Sequence, residues 1–240
     1  MFLARGLALR RGIAASAVHA SPGVSGDAAP PMRRALLCGF WGSVGTVRRV
    51  MAPYVQFYAD RGFDVRVTWR TPYESLLCGF RDRRPVARDA YDVVHCMSGG
   101  SFTALNYMRG GMAVPRKLIF EGGPMLGTQQ EAVNFLASLY PRVPEAVHWR
   151  LVRGLLVPGM RLHHGHSYTR EYRAMLDALH ACPDVLVLNG TADRLIDRAA
   201  IATTGAREIL FADAAHNRIR KTHPDAWART VDVFIRSRQA

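Results

Sequence analysis

Short runs of apolar, β-forming residues alternate along this chain with segments in which apolar residues recur at helical spacing. A strand run at residues 35–38 precedes a helical pattern at residues 47–58, and a second strand run follows at residues 63–69. Strands that alternate with helices usually pair in parallel, with the helices covering the sheet. The alternation therefore predicts an α/β fold with a mainly parallel sheet and helices on both faces. Further strands are predicted at residues 91–97, 117–120, 185–188 and 207–211, and a last helix begins near Pro224.

The alternation stops between Gly122 and Pro183, where no strand is predicted. Residues 133–140, 151–157 and 168–181 are helical in pattern, with prolines between them. An insertion of this size above a sheet is typical of a lid or cap. We therefore expect a helical lid at about residues 126–183, within a domain of residues 33–240. A packing layer that never moves is the alternative.

Ser98 lies where the third predicted strand ends and a helical segment begins, in the run His95-Cys96-Met97-Ser98-Gly99-Gly100. A serine on such a turn adopts a strained backbone conformation, and the positions two before and two after it must be small. Cys96 and Gly100 are small, although the usual pattern, G-x-S-x-G, has glycine at both positions. The run predicts a nucleophile elbow, with an ordinary Ser-Gly-Gly turn as the alternative.

Asp193 and His216 follow two later strands of the predicted sheet. Asp193 comes shortly after the strand at residues 185–188, and His216 comes shortly after the strand at residues 207–211. Functional residues of an open parallel sheet gather beyond the carboxyl ends of its strands. The chain order Ser98, Asp193, His216 is the order of an α/β-hydrolase catalytic triad. We therefore predict that these three residues form such a triad.

Each partner of Ser98 also has a structural interpretation. As an alternative to a catalytic role, Asp193 and Asp197 are interpreted as carboxylates that cap helices or stabilise loops. Asp213 lies nearer the strand end than His216 and can pair with an arginine. His223 precedes Pro224 and is expected at the start of the terminal helix.

The predicted triad assigns a chemical role to each side chain. The serine hydroxyl attacks a carbonyl, histidine accepts its proton, and aspartate fixes the imidazole tautomer. Two backbone N–H groups must then stabilise the oxyanion. The run Gly39-Phe40-Trp41-Gly42 after the first strand predicts the Phe40 N–H as one donor, and the Gly99 N–H is predicted as the second.

Several of these runs together resemble the eukaryotic family typified by transmembrane protein 53, which lies within the α/β-hydrolase fold. The resemblance covers residues 35–235 and rests on Leu36-Leu37-Cys38-Gly39-Phe40-Trp41-Gly42, the Ser98 run, Phe120-Glu121-Gly122-Gly123-Pro124, Thr191-Ala192-Asp193 and Ala215-His216. It implies an α/β-hydrolase fold with Ser98, Asp193 and His216 at the triad positions. It supplies no substrate.

This chain departs from the family at one motif. The family tends to carry Asp-Ser-x-Pro where this chain has Glu121-Gly122-Gly123-Pro124, so the local geometry of the site is expected to differ. The family name suggests membrane residence, but Arg150, Arg153 and Arg161 interrupt the apolar lid. We expect no transmembrane helix, since the chain has no run of roughly 18 apolar residues, and the lid could at most lie on a membrane surface.

The first 32 residues differ in composition from the rest and predict a presequence followed by a disordered linker. Residues 1–20 contain three arginines and no acidic residue, and a Gly/Pro/Ala-rich stretch follows. This composition is typical of mitochondrial import. A secretory signal, or a bacterial chain that begins at Met32, are the alternatives.

The charge of the chain points to anionic partners. The formal net charge is +13, and nearly all of the 32 basic residues are arginines. Such a chain can favour RNA, anionic lipid or acidic substrates, but the arginines are scattered, which argues against specific nucleic-acid binding. The four cysteines show no metal or disulfide spacing, and His163, His164 and His166 have no local acidic or cysteine partner. We predict no metal and no cofactor.

The sequence thus leads to two expectations about function. The first is a serine hydrolase, an esterase, thioesterase or lipase-like enzyme, acting on a small hydrophobic acyl substrate. The alternative is a catalytically idle hydrolase-fold protein, docked by its basic surface in an organellar ribonucleoprotein or membrane complex.

Overall fold

The computed structural model describes residues 32–39, 44–69, 90–158 and 168–237. Its strands pair in parallel at every junction and form one six-stranded sheet in the order β2-β1-β3-β4-β5-β6. The predicted parallel sheet is confirmed. The strands are β1 (Arg33–Cys38), β2 (Phe63–Thr68), β3 (Val93–Met97), β4 (Lys117–Glu121), β5 (Val185–Gly190) and β6 (Arg207–Phe211).

Helices pack on both faces of this sheet, as predicted. They are α1 (Val44–Ala59), α2 (Gly100–Arg109), α3 (Gln129–Leu139), α4 (Glu145–Leu151), α5 (Tyr168–His180), α6 (Arg198–Ala202), α7 (Ile219–Thr222) and α8 (Pro224–Arg236), with a π-helical turn at Val152–Leu156. One core cluster joins the sheet to α2 and α5. The other joins it to α1 and α8. None of the helices in the described ranges is long and apolar enough to cross a membrane.

The central strands β3 and β4 are buried along their whole length, whereas the edge strands β2 and β6 are partly exposed. A parallel strand covered by helices on both faces has no solvent side, which explains the near-continuous apolar runs that identified β3 and β4. Four neighbouring strands, β3, β4, β5 and β6, run in the same direction. Their carboxyl ends therefore lie at one edge of the sheet.

The structure divides the interval predicted as a lid. Met175 and Leu179 of α5 are fully buried, and α5 contacts α2 in the core. Residues 168–180 therefore form a packing layer of the domain core. The lid predicted at residues 126–183 stays a prediction for the rest of that interval. We call α3, α4 and the π-helical turn, residues 129–156, the helical insertion.

One helix of the insertion begins earlier than its pattern predicted. The apolar run at residues 151–157 predicted a helix there, but α4 starts at Glu145, directly after Pro144. Proline fits the start of a helix because its missing N–H would have no intrahelical partner there. The chain then continues into the π-helical turn at Val152–Leu156. Residues 1–31 lie outside the described ranges.

Candidate active site

Ser98 occupies a sharp turn between β3 and α2. Its φ is +49°, in the left-handed region that side-chain-bearing residues rarely adopt. The Ser98 N–H donates to the carbonyl oxygen of Glu121 at 2.9 Å, and the Ser101 N–H donates to the carbonyl oxygen of Ser98 at 3.0 Å. Backbone strain held in this way by flanking hydrogen bonds is characteristic of a nucleophile elbow.

The two small positions around Ser98 have different structural reasons. A Cβ on Gly100 would lie 2.0 Å from the Cys38 carbonyl oxygen, so only glycine fits where α2 approaches β1. Cys96 instead points into the core and lies opposite Cys38 across β1 and β3. Burial raises the pKa of the Cys96 thiol, so the group stays neutral and acts as a small apolar filler. The cysteine at the first position of the pattern is therefore compatible with the elbow.

The structure brings Ser98, His216 and Asp193 into one hydrogen-bonded series. His216 Nε2 lies 2.7 Å from Ser98 Oγ, and His216 Nδ1 lies 2.7 Å from Asp193 Oδ2. The other carboxylate oxygen of Asp193 accepts the Leu195 N–H at 2.9 Å. The Asp193 carboxylate is almost fully buried, with 2% of its side chain exposed, whereas 18% of the His216 side chain is exposed.

Close backbone packing holds the two loops that carry these partners. A Cβ on Gly190 would lie 1.8 Å from the Ala214 carbonyl oxygen, so the end of β5 meets the loop after β6 without room for a side chain. The Ala192 N–H donates to that same oxygen at 3.2 Å. Asp193 and His216 are brought together because the loops after β5 and β6 are joined at this point.

Two residues at the site were not predicted from the sequence. Gly122 has a φ of +62°, and a Cβ there would lie 3.0 Å from His216 Cε1 and 3.1 Å from His216 Nδ1. Met125 Sδ lies 3.6 Å from Ser98 Oγ. The sequence had associated the Glu121-Gly122-Gly123-Pro124 run with the site through the family resemblance, but it had assigned no contact to Gly122.

Ser101 joins the Met125 segment to the elbow. Its Oγ accepts the Met125 N–H at 2.9 Å and lies 2.9 Å from the Ser98 carbonyl oxygen. Ser101 is fully buried. The position of Met125 over the Ser98 hydroxyl is therefore set by a hydrogen bond to α2 as well as by packing.

The predicted oxyanion donors are only partly within the described residues. Gly99 follows Ser98 at the start of α2 with φ −55° and ψ −11°. Among the described residues, no hydrogen bond uses the Gly99 N–H. Phe40 lies outside the described residues, as do Trp41 and Gly42.

The competing carboxylates and imidazole take structural positions. Asp197 caps α6 by accepting the Ala200 N–H at 3.1 Å. Asp213 has a φ of +54° and its N–H donates to the Thr191 hydroxyl. His223 immediately precedes α8, as predicted, and its Nε2 lies 2.7 Å from the Ala212 carbonyl oxygen.

A buried polar cluster lies behind the site, on the α1 and α8 face of the sheet. Glu121 is fully buried and accepts the Tyr54 O–H and the Trp227 N–H, each at 2.9 Å. His95 Nε2 lies 3.7 Å from Glu121 Oε2, and His95 Nδ1 lies 3.0 Å from the Tyr58 oxygen. Burial, and then Glu121, raise the pKa of Tyr54. Since Glu121 also accepts the Ser98 N–H on its backbone, this cluster fixes the strand beside the elbow.

The described ranges contain no group of three or more His, Cys, Asp and Glu side chains that could hold a metal ion. His163, His164 and His166 lie outside those ranges.

Comparison with known proteins gives matches among solved structures alone. No protein-family model matches the chain, and no curated protein matches it. The Mycobacterium tuberculosis protein Rv0554 is 16% identical with a TM-score of 0.52, over 87% of this chain and 92% of that one. BpoC, a candidate non-heme bromoperoxidase from Mycobacterium tuberculosis H37Rv, is 17% identical with a TM-score of 0.50, over 85% of this chain and 93% of that one.

A third solved structure is named for its fold. MGS-MChE2, an α/β hydrolase enzyme from the metagenome of lagoon sediments of Mar Chica, Morocco, is 12% identical with a TM-score of 0.48, over 84% of this chain and 89% of that one. With the parallel six-stranded sheet and its strand order, the likeness to Rv0554 and BpoC shows that this chain has the α/β-hydrolase fold.

Proposed function

We propose that this α/β-hydrolase-fold protein is a serine hydrolase that cleaves an ester or thioester of a hydrophobic acyl group. The observation that carries the proposal is the hydrogen-bonded series from Ser98 Oγ through His216 to Asp193, at 2.7 Å in each step. A base must lie within hydrogen-bond reach of the proton that it removes, and His216 Nε2 meets that requirement.

The proposed reaction proceeds through an acyl-enzyme. His216 Nε2 accepts the Ser98 proton while Ser98 Oγ attacks the substrate carbonyl, and His216 then donates that proton to the leaving alcohol or thiol. Water then loses a proton to His216 Nε2 and attacks the acyl carbon, and the bond to Ser98 Oγ breaks as His216 returns that proton to Ser98, which releases the acid. Asp193 accepts the Nδ1–H of His216, which holds the tautomer in which Nε2 is free to act as the base, and stabilises the imidazolium.

The Gly99 N–H is the proposed donor to the oxyanion from this part of the chain, since it directly follows the nucleophile at the start of α2. The Phe40 N–H is proposed as the second donor on its sequence position after β1. Two such donors contribute several kcal/mol of transition-state stabilisation, on the order of 3 kcal/mol for each.

The surroundings of Ser98 support an apolar acyl group. Met125, which contacts the hydroxyl, is an adaptable thioether, and Gly122 and Gly123 offer backbone without charged side chains. A charged acyl group would lose its hydration against these residues without gaining a counter-ion from them.

Active-site labelling tests the proposal. A fluorophosphonate probe is expected to label the wild-type protein and to fail with Ser98→Ala. Ser138→Ala is the matched control, because Ser138 is exposed on α3 and its hydroxyl donates only to the Phe135 carbonyl oxygen. Folded wild-type protein that does not label, or label that survives Ser98→Ala, would contradict the proposal.

The alternative of an idle hydrolase-fold protein makes the opposite prediction, since it leaves Ser98 unlabelled in a folded chain. Its docking in an organellar ribonucleoprotein rests on the net charge of +13 and on the composition of residues 1–32. Import is tested by fusing residues 1–32 to a fluorescent protein, with the three arginines of residues 1–20 changed to glutamine in the control. Membership of the family typified by transmembrane protein 53 likewise rests on the sequence runs alone.

A further inference from the structure

Among the residues that the structure describes, the exposed large apolar side chains are concentrated on the helical insertion. Of the twelve large hydrophobic side chains exposed among the described residues, seven lie within residues 139–156. Isolated exposed leucines are ordinary, whereas a concentration on one short segment marks a binding surface. The seven are Leu139, Tyr140, Val143, Val147, Leu151, Leu155 and Leu156.

Three of these side chains recur at a spacing of four residues. Val147, Leu151 and Leu155 are 38%, 40% and 66% exposed, whereas His148 and Val152, one position further along each turn, are buried. The insertion therefore has an inner face that packs and an outer apolar face. We call Val147, Leu151 and Leu155 the outer stripe.

Arginines lie beside the outer stripe. Arg150 and Arg153 are exposed, and together with Trp149 they line a shallow surface cavity of about 600 Å³. The Arg153 guanidinium lies 4.7 Å from the centre of the Trp149 ring. Arg142 is exposed nearby, and the acidic residue of this segment, Glu145, accepts the Trp149 N–H at 3.2 Å.

We propose that the outer stripe and its arginines dock the protein on an anionic lipid surface. The leucines enter the boundary between headgroups and acyl chains, and Arg150 and Arg153 contact lipid phosphates from the cavity rim. Basic side chains beside an apolar helix face are the combination that binds such a surface, since the charge attracts anionic lipid and the apolar area anchors the helix.

The composition of this surface argues against the other occupants. A second copy of the chain would bring the same arginines against one another without counter-ions. RNA is recognised through its phosphates and through stacking of bases on exposed aromatic rings, and it would leave the aliphatic side chains of the outer stripe in water.

The proposal concerns binding and does not depend on the hydrolase chemistry. The two are joined by sequence, because the insertion follows Met125, which contacts the Ser98 hydroxyl. Ser98→Ala is expected to bind lipid as the wild type does, so loss of chemistry and loss of docking can be told apart.

Vesicle co-sedimentation tests the docking surface. The full chain is mixed with vesicles of phosphatidylcholine alone or with about one third phosphatidylserine. Binding is expected for the anionic vesicles, with weakening by salt. Arg150→Gln with Arg153→Gln is expected to lower the affinity about 25-fold, roughly fivefold for each charge. Leu151→Ser with Leu155→Ser is expected to lower it roughly tenfold or more.

Matched controls separate this surface from general charge and general exposure. Arg48→Gln with Arg49→Gln removes two exposed arginines of α1, and Leu210→Ser with Val233→Ser removes two exposed apolar side chains outside the insertion. Both controls are expected to bind like the wild type. Binding that falls equally in the controls, or that does not require phosphatidylserine, would overturn the proposal.

Two further outcomes would also overturn it. In sedimentation velocity, a wild-type dimer that becomes a monomer on Leu151→Ser with Leu155→Ser would identify a second copy as the occupant. Retention of polyuridylate that depends on the outer stripe, with no binding to anionic vesicles, would identify nucleic acid. Denaturant curves for each variant confirm that a loss of binding is not a loss of the fold.

Discussion

Gly122→Ala tests how the turn after β4 positions the His216 imidazole. The added Cβ would lie 2.7 Å from Asn217 Oδ1 and 3.0 Å from His216 Cε1, closer than a methyl group normally approaches either atom. Gly122 also has a φ of +62°, which costs alanine about 1 kcal/mol. The His216 ring must move by a few tenths of an ångström, away from its 2.7 Å contacts with Ser98 and Asp193.

The displacement should reduce reactivity more than stability. Since a misplacement of about 1 Å can lower a rate roughly a hundredfold, we expect the fluorophosphonate labelling rate of Ser98 to fall roughly ten- to a hundredfold. The free energy of unfolding should fall by about 1 to 2 kcal/mol. The labelling rate is measured by stopped-time gel fluorescence, and stability is measured by urea denaturation of the same samples.

Gly205→Ala is the matched control. Gly205 has a φ of +66°, and a Cβ there would meet no atom within 4 Å. This variant should lose a similar amount of stability, about 1 kcal/mol, while it labels at the wild-type rate. A folded Gly122→Ala protein that labels as fast as the wild type would refute the reasoning, as would an equal slowing in Gly205→Ala.

Three further predictions address the carboxylates. Asp193→Asn should lower the labelling rate by roughly 10³- to 10⁴-fold with the fold intact, because the amide no longer holds the tautomer of His216 that leaves Nε2 unprotonated; labelling within tenfold of the wild type would contradict this. Burial raises the pKa of Glu131 from 4.5 to about 7. The backbone N–H groups that donate to its carboxylate lower the pKa, but the effect of burial is larger. The folded state then holds a proton that the unfolded chain loses, so stability falls by roughly 3 kcal/mol as the pH rises from about 4.5 to about 7. Urea curves across this pH range give the free energy of unfolding at each pH. Glu131→Gln should remove most of its dependence on pH, and an unchanged pH dependence would assign the effect to other groups. Tyr54→Phe removes a donor to the buried Glu121 carboxylate and should cost about 1.5 to 3 kcal/mol in the free energy of unfolding; a cost below about 0.5 kcal/mol would show that the bond is dispensable.

The elements of this fold were predictable where burial gives a strand or helix a clear pattern. β3 and β4 are covered on both faces, so their residues are continuously apolar and stand out in the sequence. The α5 helix was equally clear from its apolar periodicity, but the sequence did not show which surface its apolar face packs against. Whether an amphipathic helix forms a lid or packs in the core depends on which surface meets its apolar face, and in the structure Met175 and Leu179 of α5 pack into the core.

For the candidate site, the sequence by itself determined the order of Ser98, Asp193 and His216 and their places after three strands, because parallel strands bring their carboxyl ends to one edge. Only the tertiary structure decided that the three side chains meet at hydrogen-bond distance and that Gly122 lies against the imidazole. The reason is physical. Local residue patterns encode which segments become strands, whereas a distance between loops depends on close packing of backbone that is far apart in the chain.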